Sequence, residues 1–133
     1  MAENITEEFI KALEKLETGD DDVETIASLF ADNCEVGNVT LSKTLHGTEG
    51  AKEFWTHYKS TLGDVRSVFK NKIVIDGRSA LEWTTEGNTD SGEHHINYEG
   101  VSILETEGGK ITRFFAYFNP NKLGNQITEA HHG

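Results

Sequence analysis

The chain has 133 residues, 35% of them hydrophobic, and a formal net charge of −11 at pH 7. That length fits one domain with a core of ordinary size, and no apolar run approaches the roughly 20 residues that a membrane-spanning helix needs. With 12 basic against 23 acidic side chains and no cluster of lysine and arginine, neither a nucleic acid nor an anionic membrane is expected as a partner, because phosphate binding needs a basic patch.

The opening MAENITEEFIKAL has no basic region ahead of an apolar block, so no secretory signal is expected. The single cysteine, Cys34, excludes an internal disulfide and fits a reducing, cytoplasmic compartment. The N-x-T sequons at Asn4 and Asn38 then carry no glycan.

In chain order, Ile5, Phe9, Leu13 and Leu16 repeat at helical spacing and predict a first helix over about 5–18, closed by Gly19 and Asp20–Asp22. Val23, Ile26, Ala27 and Phe30 fall at i, i+3, i+4 and i+7, predicting a second helix over about 22–32. Asp21 and Glu24 form a capping-box pattern at its start. CEVGNVTL then reads as a short strand within about 33–40. Thr48 opens a third helix over about 48–62, whose face is Ala51, Phe54, Trp55, Tyr58 and Leu62 and which Gly63 stops. From Val65 onward the period is that of strands, at about 66–76, 79–89, 94–106 and 110–119. Asp76-Gly77 is a strong hairpin signal, and further turns lie in NTDSGE and ETEGGK. Helices first and antiparallel strands afterwards make an α+β domain, with the helices covering one face of the sheet.

FADNCEV after the second helix, LHGTEGAKEFW leading into the third, and YEGVSILETEGGKITRFFAYFNP at the end together resemble the nuclear transport factor 2-like superfamily. More narrowly the chain is similar to the SnoaL-like group, whose last strand is typically patterned GKI-x-x-x-x-x-Y-F-D-P. The resemblance implies a cone: a bent antiparallel sheet of four to six strands wrapped around three N-terminal helices, with a pocket at the open end. It implies no single activity, because this superfold hosts isomerases, cyclases, epoxide hydrolases, dehydratases and non-catalytic binders.

Lined up on the GK turn against ketosteroid isomerase, a relative within this fold, the inward set becomes Phe114, Ala116 and Phe118 with Asn97, Glu99 and Val101. The outer set is then Ile96, Tyr98, Arg113, Phe115 and Tyr117. An apolar patch of that size marks an interface, and proteins resembling this family often pair through this face, so a homodimer is expected; the competing reading is that the chain's own C-terminal tail covers Phe115. On the same alignment Asn38 stands at the isomerase base position and Val101 near its acid position. Ala116 and Asn119 stand where cyclases and epoxide hydrolases carry an acid. None of these four can transfer a proton as the named relatives do.

Glu99, in NYEG, is therefore the principal candidate for acid–base work: in an apolar pocket desolvation would raise its pKa. Pairing with Arg66, Arg78 or a lysine, or exposure at a rim, is the competing reading. Glu82, with Glu86 on its face, is a second candidate against a solvated or paired role, and His95 a third because imidazole titrates near neutrality. Asn38 and Asn97 could orient a polar ligand group, while Phe54, Trp55, Tyr58, Trp83, Val101, Phe114, Ala116 and Phe118 would shape the cavity or simply fill the core.

No metal site is expected: His94 and His95 are adjacent on a strand and diverge, His131 and His132 are terminal, and His46 and His57 are isolated. No nucleotide fingerprint is present, so no cofactor is expected. Two functions fit: a small-molecule pocket with cofactor-free acid–base chemistry of isomerase, cyclase or lyase type, or a binding and sequestering module without catalysis.

Overall fold

A computed structural model describes residues 2–19, 23–89 and 94–121. Apolar side chains recur along α1 (Ala2–Thr18) so that Ile5, Phe9, Ala12, Leu13 and Leu16 form one buried stripe. Gly19 ends it with φ 83, the left-handed turn that favours glycine. Next come α2 (Val23–Ala27), β1 (Phe30–Asn38), β2 (Leu45–His46) and α3 (Gly47–Thr61). Four long strands complete the fold: β3 (Leu62–Ile75), β4 (Arg78–Thr89), β5 (His95–Glu107) and β6 (Lys110–Phe118).

The strands form one six-stranded sheet in the order β2-β1-β6-β5-β4-β3. β1 runs parallel to β6 and every other neighbouring pair is antiparallel, so the sheet is mixed. α1 packs on β3 and α3 on β1, burying the inner face of the sheet. A buried hydroxyl pair, Thr6 Oγ1 and Ser79 Oγ at 2.7 Å, ties α1 to β4. The Asp76-Gly77 and Gly108-Gly109 turns are two-residue hairpins, with Ile75 paired to Arg78 and Glu107 to Lys110. Positive φ at Gly77, Gly108 and Gly109 supplies the backbone such turns require. Register shifts in β3 and between β5 and β6 bend the sheet around the helices, as an α+β cone requires. No described helix is long and apolar enough to cross a membrane.

The sequence pattern and the backbone part company at the second helix. Ile26, Ala27 and Phe30 are all buried, as a helical face would have them. Yet α2 stops at Ala27, because the next residues join the sheet: the Ile111 amide donates to the Leu29 carbonyl at 2.9 Å. The helical period marks which side chains are buried but not the backbone conformation, since sheet pairing overrides local period. The proposed cap at Asp21, the turn around 90–93 and the terminal His131 and His132 lie outside the described residues.

A second correction concerns which side of β5 faces inward. Near the GG turn Thr106 pairs with Ile111, but the next pair is Glu105 with Arg113. Thr112 is thus an extra residue, a bulge that advances β6 by one. Beyond it Leu104 faces Phe114, Ser102 faces Ala116 and Gly100 faces Phe118. Without the bulge, Val101 and Glu99 would have met Ala116 and Phe118, which is the inward set expected from the turn. One residue of slip turns a whole strand face over. Ile96 and Tyr98, expected on the outside, are buried in the core at 0% and 5% exposure. Asn97, Glu99 and Val101 share the outer face with Arg113, Phe115 and Tyr117.

Candidate functional site

Between α1, α3 and the inner face of the sheet lies a cavity of about 320 Å³, within the range of small-molecule sites. Helical spacing brings Phe54, Trp55 and Tyr58 of α3 to it. Strand alternation brings Trp83 and Thr85 of β4, Tyr98 and Ser102 of β5, and Phe114, Ala116 and Phe118 of β6. The rings interlock: Trp55 lies 5.2 Å from Phe114 between centroids, and Tyr98 lies 5.3 Å from both Trp83 and Phe118. Gly100 makes room for this packing, since a Cβ there would sit 2.8 Å from the Trp83 ring and 2.3 Å from the Tyr117 carbonyl. The Trp83 indole donates to Ser102 Oγ at 2.9 Å, fixing that ring. Glu53 and His57, exposed on α3, stand at the opening.

Behind the wall is an acid that pattern reasoning missed. Glu17, on the last turn of α1, is 3% exposed. Its carboxylate accepts from the Ser67 amide at 2.9 Å, from Ser67 Oγ at 2.5 Å and from the Tyr58 phenol at 2.6 Å. Ser67 Oγ in turn lies 2.7 Å from Thr85 Oγ1, which extends the chain of hydroxyls to β4. Tyr58, Ser67 and Thr85 all line the cavity, so Glu17 stands one hydroxyl away from it. Burial raises the Glu17 pKa above the usual carboxylate value; the Ser67 and Tyr58 hydrogen bonds oppose that rise and neighbouring Glu14 adds to it. Burial, then the Glu17 charge, push the Tyr58 and Tyr98 phenols above their ordinary range. The cluster can hold one negative charge, or one proton, beside the cavity. The signal in the sequence was the spacing Phe9, Leu13, Glu17, which sets a carboxylate on the apolar stripe.

Of the expected ligand contacts, Asn38, Phe54, Trp55, Tyr58, Trp83, Phe114, Ala116 and Phe118 line the cavity. Asn38 is also committed to its own turn, accepting from the Thr40 amide at 2.9 Å and hydroxyl at 2.7 Å. Asn97 and Val101 lie on the opposite face, for the reason of the bulge. The three expected acid–base groups are not brought to the cavity either. Glu99 is exposed on the outer face. Glu82 points the same way and accepts from the Asn71 side chain. His95 Nε2 sits 3.5 Å from Glu86 at the surface. The desolvation argument made for Glu99 applies instead to Glu17.

The SnoaL-like domain family matches residues 6–114. Among curated proteins none matches the sequence. Solved structures share the fold. A putative isomerase from Rhodopseudomonas palustris superposes with a TM-score of 0.82 at 14% identity, over 97% of this chain and 99% of its own. A hypothetical protein with a ketosteroid isomerase-like fold from Catenulispora acidiphila, in complex with trimethylamine, gives 0.76 at 17% identity, over 90% and 91%. An LEH-like epoxide hydrolase from M. tuberculosis gives 0.73 at 15%, over 97% and 90%.

Proposed function

The chain belongs to the SnoaL-like domain family, and from that premise we propose that it binds a small, largely apolar organic molecule in the cavity between α1, α3 and the sheet. The observation that carries this reading is the cavity itself: about 320 Å³ walled by aromatic rings, with hydroxyls of Tyr58, Ser67 and Thr85 gathered at one place in the wall. Rings give a ligand apolar area, and a few convergent hydroxyls fix its orientation. Ala116, buried in that wall, tests it. Replacing it by Phe fills the cavity, so titration calorimetry with the neutral probe 1-naphthol should register heat for the wild type and none for Ala116→Phe. Equal binding by both would remove the cavity as the site.

A second reading is favoured by the hydrogen-bond chain from Glu17 to Tyr58. A buried carboxyl with a raised pKa can pass a proton through the phenol to or from a ligand, which is acid–base chemistry without a cofactor. In that reading Tyr58 is the group that touches the ligand and Glu17 positions and recharges it. In this reading the proton-transfer role belongs to α1 and α3, whereas Glu99 and His95 on β5 and Glu82 on β4 were the groups expected to carry it.

A further inference from the structure

Among the described residues Glu17 lacks the cationic partner that a buried carboxylate ordinarily has. Its hydrogen-bond partners are Tyr58 and Ser67, both neutral, and among the described residues no lysine or arginine lines the cavity beside it. Buried charges are as a rule paired. The same two partners donate their protons to Glu17, so toward a ligand the Tyr58 and Ser67 oxygens present lone pairs, which suit a hydrogen-bond donor. Around them stand Phe54, Trp55, Trp83 and Phe118, whose ring faces are negative. Glu53 at the opening and a net charge of −11 add attraction of the same sign. The Trp55 indole N–H, without an acceptor among the described residues, is itself fully buried rather than exposed to the cavity.

We infer that the ligand is a small organic ammonium ion, an amine protonated at neutral pH, with its apolar body among the rings and its charged head against Tyr58 and Ser67, one hydroxyl from Glu17. The inference rests on the cavity being the binding site. The ammonium supplies the missing countercharge and favours the ionised Glu17, so binding and release of the Glu17 proton are coupled. An anionic ligand meets the opposite: a desolvated negative charge beside another.

Three probes of one shape separate these statements: benzylamine, benzyl alcohol and benzoate, titrated calorimetrically near neutral pH. Benzylammonium is expected to bind about tenfold tighter than benzyl alcohol, and benzoate weakest. No binding by any of them overturns the cavity reading and the inference together. Binding of the alcohol or benzoate as tight as that of the ammonium overturns the inference and leaves the cavity reading standing. Glu17→Gln should erase the preference while retaining the alcohol. A preference that survives in a folded variant overturns the role of Glu17.

A pH series provides the same information should that variant not fold. The titratable groups facing Glu17 are Glu14 on its own helix, Tyr58 from α3 and Tyr98 from β5, while Glu53 and His57 stand at the opening. In a Glu53→Gln, His57→Gln background the ratio of ammonium to alcohol affinity should fall as the pH is lowered and Glu17 takes up its proton. A flat ratio overturns the inference.

Discussion

Burial lifts the Glu17 carboxyl above its ordinary value of 4.5, so between that value and the raised one the folded chain keeps a proton that the unfolded chain gives up. Stability therefore falls as the pH rises through that window and levels once the group is ionised in both states. Glu17→Gln keeps an acceptor for the Ser67 amide and carries no titrating group. The difference in Tm, variant minus wild type, should grow more positive as the pH is raised from about 4.5 towards neutrality. Thermal melts across that range decide it: a constant difference would mean that Glu17 titrates alike in both states.

At the scale of elements, β5 and β6 fit together through two local features, the Thr112 bulge and the Gly100 gap. Gly100→Ala would drive a methyl group to 2.3 Å from the Tyr117 carbonyl and 2.8 Å from the Trp83 ring. Backbone cannot yield as a flexible side chain can, so the cost should be about 2–3 kcal/mol in urea unfolding. Gly108→Ala, at a left-handed turn with nothing within 4 Å, should cost only about 1 kcal/mol. Equal losses at both sites would show that the close approach at Gly100 is relieved elsewhere. These strands also show what a sequence can tell. The helical stripe of α1, the aromatic face of α3 and both glycine turns announce themselves by spacing, because each is a local preference. The bulge at Thr112 has no such mark: it is settled by how Ile111 and Phe114 can both reach the core, a matter of tertiary packing. The faces of β5, read across the turn from β6, are the ones that this one-residue shift turns over. Glu17 was hidden differently: beside Glu14 and Lys15 at a helix end it reads as solvated, and only the three-dimensional approach of β3 and α3 closes over it.

At the scale of the whole molecule, the outer face of the sheet is an unsettled surface. Cross-strand pairing sets Ile73, Ala80, Ile103 and Phe115 in one continuous row, with Val101 and Tyr117 alongside. Ile73 is 65% and Tyr117 47% exposed. Arg113 bridges Glu105 at 3.5 Å and lies over the Phe115 ring, partly screening it. We propose that a second copy of the chain covers this row. The membership of the patch differs from the expected one, with Ile103 and Val101 in place of Ile96 and Tyr98. Sedimentation should show a dimer at micromolar concentration for the wild type and a monomer for Ile103→Glu, with the cavity on the other face unaffected. A wild type that sediments only as a monomer would end the proposal.

The aromatic wall of the cavity has an optical consequence. The chain contains two tryptophans, Trp55 and Trp83, and both belong to that wall. Under excitation selective for indole over phenol, its emission therefore comes from the cavity wall alone. Whatever enters the cavity changes the surroundings of both emitters at once, and Trp83→Phe would leave Trp55 as a single reporter without a label being attached.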